Sequence, residues 1–417
     1  MLNADVISRI AREYQTPVYI FDKTMLKRRI SDIRGILGDD VTLCYAMKAN
    51  PFLVDAFKSL DTKYEVCSPG EFSICEREHV DMNSIVLSGV NKEKHDICHV
   101  MDDCGGIGVY TAESLNQLIL LNECAGERGI TIDVLLRVTS GNQFGIDEAD
   151  IENIIRDRDN YPHVNIKGLQ CYSGTQKKKT DIFAQELTWL VQLSDRLCED
   201  YGCQLTEIEY GPGLAYNYFG EAAYDNNFDE LSVLAGYLEP VKKKYHVTLE
   251  MGRFLVSECG IYVTSIADIK VNNNQNYIIV DGGINHINYY GQTMAMKIPA
   301  YSYVGCDGAV VKDREKCEIP EDNLEKWTAC GSLCTVADVV VKNLPIRKPQ
   351  LGDMIIFYNI GAYSVTEGIY LFLSRKMPLI TAVSYDDAAE ALYDDVTVEV
   401  YRDVYNSDRI NSRKEVV

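Results

Sequence analysis

The segment VTLCYAMKAN (residues 41–50) starts as an apolar, β-rich run and ends in polar residues. The same pattern, usually followed by a helical segment, recurs as far as residue 253. The eight β-rich runs are Val41–Met47, Lys63–Cys67, Ser84–Ser88, Gly106–Tyr110, Ile132–Val138, Asn165–Cys171, Leu205–Tyr210 and Val247–Glu250. The helical candidates include Pro51–Leu60, Gly70–His79, Ala112–Ala125, Asp181–Asp200 and Asp229–Lys244. Eight strands that alternate with helices predict an α/β fold with a TIM-like (β/α)8 barrel, and a doubly wound open sheet is the alternative.

The sequence after Gly260 contains strand-like runs separated by turns and little helical pattern, which predicts a β-domain. Its runs are Ile261–Ile269, Asn276–Val280, Trp327–Ala329, Val336–Val341, Met354–Phe357 and Val396–Val400. The strand-like segment Pro17–Phe21 precedes the barrel and could add a strand to this second domain. We therefore expect a barrel over residues 25–260 and a C-terminal β-domain formed by residues 1–24 and 261–417.

The composition restricts the classes of partner. The chain has 417 residues, 46% of them hydrophobic and 25% charged, which is enough for two domains of ordinary size. Its formal net charge is -21 at pH 7. Nucleic-acid surfaces and docking sites for anionic lipid both need clustered Lys and Arg, so this charge argues against either partner.

The cysteines and the apolar runs indicate a cellular compartment. There are 14 cysteines without a Cys-x-x-Cys pair, and six histidines without ligand spacing, so we expect free thiols and no structural metal. The first 16 residues are polar and amphipathic and lack the apolar core of a signal peptide. No run of about 18 apolar residues is present, so we expect a cytoplasmic protein that does not cross a membrane.

Catalytic groups of a barrel lie at the carboxyl ends of its strands, and polar residues concentrate there in this sequence. They include Lys48, Glu65, Cys67, Asn91, Lys92, Arg137, Tyr172, Thr175, Glu250 and Arg253. Lys48 closes an apolar strand, where partial desolvation would favour the neutral, nucleophilic amine. Taken alone, an ordinary surface lysine is the simpler interpretation.

A phosphate site is predicted after the last strands of the barrel. Gly211-Pro212-Gly213 and Arg253 follow the seventh and eighth strands, where barrels often bind phosphate. Glycines let backbone N–H groups approach phosphate oxygens, arginine adds a bidentate charged contact, and Thr175 offers a hydroxyl. Nearby, Glu250 could pair with a protonated pyridine nitrogen, act as a solvated cap or pair with Arg253.

Two further motifs lie in the predicted β-domain. The first is CGSLCTVAD (residues 330–338). The spacing of Cys330 and Cys334 does not match a usual metal pair, and a buried, inert cysteine is the default interpretation. The second, Gly361-Ala362-Tyr363, follows an apolar run and by itself is a strand end with an aromatic residue.

Together, these motifs resemble the fold-type III pyridoxal-phosphate-dependent decarboxylases, the group 2 family of ornithine, arginine and diaminopimelate decarboxylases. The matching segments occur in family order and are Tyr45–Asn50, Val66–Glu71, Gly168–Gln176, Gly211–Gly213, Glu250–Gly260, Val280–Gly283, Gly331–Asp338 and Gly361–Tyr363. The resemblance implies pyridoxal 5'-phosphate as cofactor and the barrel-plus-β-domain architecture shared with alanine racemase. It also implies a lyase of amino-acid metabolism that decarboxylates an amino acid to an amine.

The resemblance assigns cofactor roles to individual residues. Lys48 matches the lysine that holds the cofactor as a Schiff base, and Glu250 matches the carboxylate that keeps the pyridine nitrogen protonated. The positions that match phosphate-binding or other cofactor-binding residues are Gly211, Gly213, Thr175, Arg253, Tyr363 and Arg137. Glu65 replaces an aspartate. Tyr172 stands where most relatives have a histidine stacked on the cofactor ring.

On the substrate side, Cys334 matches a cysteine that crosses a dimer interface, which implies a homodimer with shared active sites. It is the candidate acid that protonates Cα after CO2 loss. Asp281 matches a substrate-contacting aspartate. Thr335 stands where diaminopimelate decarboxylases carry Glu and ornithine decarboxylases carry Asp to meet a distal ammonium. A smaller branch shares the tyrosine at 172 and the Cys-Thr pair, acts on modified or carrier-bound amino acids, and resembles this sequence most.

Two other functions are left open by the sequence. An amino-acid racemase has the same cofactor and architecture, but racemases lack the Cys334 loop pattern and place a catalytic tyrosine elsewhere. A non-enzymatic relative that binds a partner protein would lose the lysine or the phosphate residues, and this chain keeps both. The exact substrate, its stereochemistry and the pathway do not follow from the sequence.

Overall fold

The computed structural model describes residues 2–219, 228–313, 323–386 and 391–401. The chain forms two compact units. One contains residues 29–216 and 228–255, and the other contains residues 2–28, 217–219 and the described residues from Val256 onward. Within these described ranges, no helix is both long enough and apolar enough to cross a membrane.

The regular elements alternate as expected as far as residue 256 and are mostly strands after it. The strands are β1 (Val18–Asp22), β2 (Val41–Ala46), β3 (Lys63–Val66), β4 (Ile85–Leu87), β5 (Val109–Ala112), β6 (Ile132–Arg137), β7 (Val164–Tyr172), β8 (Glu207–Gly211), β9 (His246–Met251), β10 (Gly260–Asn272), β11 (Gln275–Val280), β12 (Tyr301–Val304), β13 (Val310–Lys312), β14 (Glu325–Cys330), β15 (Val339–Ile346), β16 (Met354–Tyr358), β17 (Leu379–Ser384) and β18 (Thr397–Val400). The α-helices are α1 (Ala4–Tyr14), α2 (Lys23–Leu37), α3 (Val54–Phe57), α4 (Pro69–Arg77), α5 (Lys94–Asp102), α6 (Leu115–Arg128), α7 (Glu148–Arg156), α8 (Thr180–Tyr201), α9 (Asp229–Lys242) and α10 (Arg253–Val256).

Strands β2 to β9 form a closed barrel in which every neighbouring pair is parallel. The barrel closes where β9 pairs with β2, from Val41 opposite Val247 to Tyr45 opposite Met251. Parallel neighbours need a crossover connection, and α3 to α9 lie in the seven connections between these strands. The structure thus confirms the predicted (β/α)8 barrel and excludes the open sheet.

The barrel interior contains both apolar and charged side chains. Residues opposite each other in adjacent parallel strands share a face of the sheet, and alternate residues point the same way. Cys44, Val86, Val109 and Leu135, from four different strands, pack together as one cluster, which identifies their face as the interior. By strand register the same face carries Glu65, Arg137, Gln170, Glu209 and Glu250. Charged side chains are therefore built into the barrel core.

The connection after β3 is fixed by a helix cap. The hydroxyl of Ser68 accepts a hydrogen bond from the backbone N–H of Glu71 at 3.2 Å, and Pro69 occupies the first turn of α4. The carboxylate of Glu71 in turn accepts from the backbone N–H of Cys67 at 2.7 Å. These two bonds join the end of β3 to the start of α4, so that the barrel edge near Glu65 is held in place.

The second unit is built on a ten-stranded mixed sheet with the main order β13-β12-β16-β10-β1-β17-β18. Strands β11, β14 and β15 extend it from β10. Strand β1 pairs antiparallel with β10 and parallel with β17, which confirms that the segment predicted at Pro17–Phe21 joins this sheet. Helix α1 covers one face, where Ile7 and Ile10 pack in the same buried cluster as Ile20, Val263 and Ile356.

Several elements differ from the sequence expectations. Helices α1, α2, α5 and α7 and strands β12, β13 and β17 were not predicted. The helix expected over Pro51–Leu60 is a 3-10 turn at Pro51–Leu53 followed by one α-helical turn that ends at Phe57. The strand expected from Val336 begins at Val339, because hydrogen bonds to the Asp338 carboxylate hold the preceding residues in a loop.

Candidate active site

Lys48 lies in a 3-10 turn (Met47–Ala49) directly after β2, beside two carboxylates of other barrel strands. Its Nζ is 2.7 Å from Oε2 of Glu65 and 3.6 Å from Oε1 of Glu250. Sγ of Cys67 is 3.7 Å from the same amine. The Lys48 side chain is 41% exposed, whereas Glu65 and Glu250 are almost fully buried. An ordinary surface lysine has no such surroundings, so the structure favours a functional role for Lys48.

The two carboxylates differ in their electrostatics. Burial raises the pKa of Glu65, but the Lys48 ammonium and the hydrogen bond from the Cys67 thiol outweigh it, so the pKa lies below its ordinary value. Burial and the negative charge of Glu65 raise the pKa of Glu250, against the opposing effect of Lys48. Glu65 therefore takes the lysine as its main partner, and a further positive charge beside Glu250 would be stabilised.

Two residues that the sequence did not single out complete this group. Nε2 of Gln170 donates a hydrogen bond to Oε2 of Glu250 at 3.0 Å, and Nη1 of Arg137 is 3.1 Å from Oε2 of Glu113. Glu250 is thus buried and partnered by Lys48 and Gln170, which rules out the solvated cap. Gln170 precedes Tyr172 by two residues, and this strand spacing is the signal that could have identified it.

A second lysine lies close to this group. Nζ of Lys92 donates to the carbonyl oxygens of Ser88 and Gly89 at 3.0 and 2.8 Å and to Oε1 of Gln117 at 3.2 Å. Burial lowers the pKa of Lys92 to about 8, although the carboxylate of Glu113 opposes the shift. Lys92 is therefore an amine that could react, but three hydrogen bonds hold it against the end of β4 and against α6.

The loops after β7 and β8 approach each other closely at the predicted phosphate site. A Cβ on Gly213 would lie 1.9 Å from the backbone oxygen of Gly174 and 3.2 Å from Cα of Thr175. Gly213 also has a φ of +60°, and its carbonyl accepts from the backbone N–H of Lys177 at 2.9 Å. Only glycine satisfies both the backbone conformation and this distance. The two loops thus form a backbone-lined cradle.

The neighbouring strand ends carry the other predicted cofactor residues of the barrel. Tyr172 ends β7, Gly211 ends β8 and the buried Arg253 follows β9, so all three lie at the carboxyl ends of adjacent strands. A Cβ on Gly211 would lie 2.6 Å from Cδ2 of Tyr172, so the absence of a side chain there makes room for the aromatic ring. Burial raises the pKa of the Tyr172 hydroxyl.

Cys334 and Thr335 lie in the other unit, at the tip of a loop between β14 and β15. The Asp338 carboxylate accepts from the backbone N–H groups of Leu333 and Ile284 at 2.7 and 2.8 Å and so fixes the base of the loop. Residues 334–337 are exposed, and Val336 is fully so. Cys334 is therefore not the buried, inert cysteine that was the default interpretation.

Asp281 and Tyr363 belong to the same unit as this loop. Oδ1 of Asp281 accepts from the Thr264 hydroxyl at 2.6 Å and the Ser265 backbone N–H at 3.0 Å, and Oδ2 accepts from the Thr16 hydroxyl at 2.5 Å. These bonds favour a structural role for Asp281. Tyr363 is half-buried and has a φ of +67°, a backbone conformation that is uncommon for a side chain of this size.

One cluster outside the barrel interior brings together residue types that can bind a metal, and the sequence did not suggest this grouping. Glu76, His99 and Cys104 bring one potential ligand atom each to within 4.8 Å of the others. The His99 ring, however, contacts the carboxylates of Asp103 and Glu76 at 2.6 and 2.8 Å, and their hydrogen bonds raise its pKa. His99 is thus arranged as the cationic partner of these two carboxylates on the helical surface.

Residues 23–257 match the family model described as "Pyridoxal-dependent decarboxylase, pyridoxal binding domain". The chain belongs to this family. Its matched segment spans the barrel and includes Lys48, the cradle of Gly213, Glu250 and Arg253. The expected architecture and the expected cofactor, pyridoxal phosphate, follow from the match, and the enzyme is an amino-acid decarboxylase rather than a racemase.

Comparison with individual proteins gives the same family. The chain is 25% identical to L-glutamyl-[BtrI acyl-carrier protein] decarboxylase of Niallia circulans, over 89% of this chain and 90% of that protein. It is 24% identical to 2-[(L-alanin-3-ylcarbamoyl)methyl]-2-hydroxybutanedioate decarboxylase of Staphylococcus aureus, over 86% and 92%. Several other relatives are diaminopimelate decarboxylases. The solved diaminopimelate decarboxylase of M. jannaschii shares the fold, with 23% identity, a TM-score of 0.80 and coverage of 98% of this chain and 94% of that one.

The residues of the barrel fit pyridoxal phosphate. An amine at the carboxyl end of the barrel suits the aldehyde, and the buried Glu250, with its raised pKa, suits a cationic ring nitrogen. The Gly174–Gly213 cradle and the adjacent Arg253 suit the phosphate. These three subsites lie on strands β2, β7, β8 and β9, which are neighbours around the barrel.

Gly213→Ala tests the cradle. A side chain at this φ costs on the order of 1–3 kcal/mol, and the Cβ also meets the Gly174 oxygen, so we expect about ten- to hundredfold weaker binding of pyridoxal phosphate. Titration of the cofactor-free protein by visible absorbance measures the affinity. The control is Gly236→Ala on the exposed surface of α9, where no atom lies within 4 Å of the new Cβ. Unchanged affinity in Gly213→Ala would contradict the assignment of the cradle.

Proposed function

We propose that this enzyme decarboxylates an amino acid or amino-acyl derivative with Lys48 as the residue that holds pyridoxal phosphate. The observation that carries the proposal is the position of the Lys48 amine, 2.7 Å from Glu65 and 3.6 Å from Glu250 at the carboxyl end of the barrel. Lys48 forms the covalent link, Glu250 keeps a proton on the ring nitrogen, and Tyr172 covers the ring. Gly211, Gly213, Thr175, Arg253 and the partner-facing Tyr363 hold the phosphate.

The bound cofactor supplies an electron sink for the pair left at Cα when CO2 departs. The protein orients the substrate so that its Cα–carboxylate bond is perpendicular to the ring. Glu250 keeps its negative charge next to the ring nitrogen, which strengthens the sink, and Arg137 and Glu65 balance the charges around Lys48. The Cys334 thiol would then give its proton to Cα of the substrate, and the amine of Lys48 would take back its link to the cofactor, so that the product amine leaves.

Borohydride labelling tests the role of Lys48. The purified enzyme should have a visible absorbance band that borohydride abolishes, and mass spectrometry should find the reduced cofactor on Lys48. Lys92→Ala is the control, because Lys92 is a second amine of this region and burial lowers its pKa to about 8. We expect Lys92→Ala to keep the label and Lys48→Ala to lose it. A label on any other lysine of the wild-type protein would refute the assignment.

We further propose a homodimer in the cytoplasm. The loop tip at residues 334–337 is exposed and uncharged, and the segment 369–373 exposes Ile369, Leu371, Phe372 and Leu373. Contiguous exposed apolar side chains are typical of interaction surfaces, so a second copy of the chain would cover them. All thirteen cysteines in the described ranges are free thiols, as expected in a reducing compartment.

Mixed dimers test whether active sites are shared. Lys48→Ala and Cys334→Ala should each be inactive alone. If Cys334 acts on the partner's barrel, a mixed dimer contains one site with both residues intact, and an exchanged equimolar mixture should recover about one quarter of wild-type activity. Tagged subunits report exchange by mass spectrometry. No recovery despite measured exchange would contradict shared sites.

The substrate is proposed to lack a free distal ammonium. Thr335 replaces the carboxylate that diamine-forming relatives present, and its hydroxyl already accepts from the Ala337 backbone N–H at 3.3 Å. Asp281, the alternative carboxylate, is engaged by three hydrogen bonds within its own unit. Two relatives are named for substrates extended through a carrier protein or a carbamoyl group. A neutral or acidic side chain, or one extended by an amide or thioester, fits this loop best.

Steady-state kinetics tests the substrate class. An uncompensated buried ammonium typically costs about 3–5 kcal/mol, so kcat/KM for ornithine, lysine or diaminopimelate should be hundreds of times lower than for a carrier-bound or amide-extended amino acid. Thr335→Asp should narrow this gap, and Thr335→Ser should leave it unchanged. Efficient turnover of ornithine, lysine or diaminopimelate by the wild-type enzyme would overturn the proposal.

A further inference from the structure

Glu209 is a buried carboxyl group of the barrel interior to which neither the motifs nor the proposed mechanism assigns a role. It lies in the middle of β8 and is 1% exposed. The main charged groups that act on it are the carboxylates of Glu250, Glu65 and Glu207 and the amine of Lys63, and the thiol of Cys44 is also close enough to interact. Burial, followed by the charge of Glu250, raises the pKa of Glu209 well above its ordinary value.

Lys63 lowers the pKa of Glu209, but burial and the charge of Glu250 outweigh it. Two other cations of the barrel interior are engaged elsewhere. Lys48 lies between Glu65 and Glu250, and Arg137 pairs with Glu113. In the part of the chain that the structure describes, Oε1 of Glu209 has no hydrogen-bond partner. A buried carboxylate without a partner is costly, whereas a carboxylic acid can donate one hydrogen bond.

An acceptor for that hydrogen bond is available on the neighbouring strand. Gln170 of β7 is the register partner of Glu209 in β8, so the two side chains lie next to each other on the interior face. Among the described residues, Oε1 of Gln170 also lacks a hydrogen-bond partner. Its Nε2, in contrast, donates to Oε2 of Glu250 at 3.0 Å. A proton on Oε1 of the Glu209 carboxyl group would give this oxygen and Oε1 of Gln170 a hydrogen bond to each other.

We propose that Glu209 is a positioning residue: it is protonated and donates to Oε1 of Gln170, which fixes the Gln170 amide so that Nε2 donates to Glu250. A half-turn of the amide would place Oε1 against the Glu250 carboxylate and repel it. The proton on Glu209 selects the attractive orientation. This inference rests on the proposed role of Glu250 beside the ring nitrogen, since the relay acts on the enzyme only through that carboxylate.

The relay also explains why a carboxyl group can be tolerated so close to Glu250. An ionised Glu209 would add a third negative charge to the pair Glu65 and Glu250, and would weaken the ionised form of Glu250. A neutral Glu209 that supports a donor to Glu250 has the opposite effect. The relay thus keeps the negative charge on Glu250, where a cationic ring nitrogen would need it.

Infrared spectroscopy and pH-dependent stability of the cofactor-free protein test the proton directly. The wild type should show the C=O band of a buried carboxylic acid at neutral pH, and Glu209→Gln should lack it. Above the unfolded-state pKa of about 4.3, the folded state holds a proton that the unfolded state has lost, so ionisation favours unfolding as pH rises. Glu209→Gln should therefore gain in melting temperature relative to wild type between pH 5 and pH 8. Absence of the band, or a difference in melting temperature between the two proteins that does not increase with pH, would overturn the proposal.

The positioning role is tested with the cofactor bound. Glu209→Gln keeps a neutral donor, so its visible spectrum should keep the wild-type pH dependence. Glu209→Leu fills the space without a donor, and we expect about fivefold weaker cofactor binding and a shifted spectral pH profile. A wild-type profile in Glu209→Leu would refute the relay. Since the infrared band and the stability gap need no cofactor, they fail only if the proton is absent, whereas a wrong role for Glu250 would alter the cofactor measurements alone.

Discussion

An ion buried inside a protein needs an opposite charge close by, and this requirement organises the interior of the barrel. Lys48 compensates Glu65 at 2.7 Å, and Arg137 compensates Glu113 at 3.1 Å. Glu250 shares Lys48 at a longer distance and otherwise relies on an amide hydrogen bond from Gln170. Burial and the negative charge of Glu65 raise the pKa of Glu250, and the positive charge near it is too small to offset this shift. A cationic ring nitrogen would add positive charge there, so that cofactor binding and charge compensation stabilise the same arrangement.

The parallel barrel makes such a concentration of charge possible. Every strand has the same direction, so all eight carboxyl ends meet at one rim, and alternate residues of each strand share the interior. Charged residues from β3, β6 and β9 therefore converge although they are far apart in the sequence. The apolar cluster of Cys44, Val86, Val109 and Leu135 lies on the same interior face, and such apolar surroundings strengthen ion pairs.

Features that depend on the spacing of apolar residues and on the order of the motifs along the chain were predicted from the sequence. Features that depend on tertiary packing were missed. Eight strong β-rich runs were sufficient for the barrel, and strand ends gave Lys48, Glu250 and Gly213 as candidates. Helices α5 and α7 were missed because each has only nine residues and is stabilised mainly by the few apolar side chains that it buries. Gln170 and Glu209 were missed because the prediction considered only polar residues at the carboxyl ends of the strands. Their burial follows only from the closure of the barrel, which puts both faces of each strand inside the protein.

The β-domain residues that are proposed to meet the substrate show the same difference between what the sequence predicts and what the structure adds. The sequence placed a substrate-contacting aspartate at Asp281, but the structure surrounds its carboxylate with hydroxyl and backbone donors that any distal ammonium would have to displace. The exposed tip of the Cys334 loop, residues 334–337, contains no charged side chain, and Asp338 is committed to the loop base. A positive charge on the distal part of the substrate would therefore find no ready partner on this loop. If the loop meets the substrate as proposed, it would select by shape and by neutral hydrogen bonds, and a side chain that continues into an amide or a thioester would suit it, because such a chain carries hydrogen-bonding groups without a terminal cation.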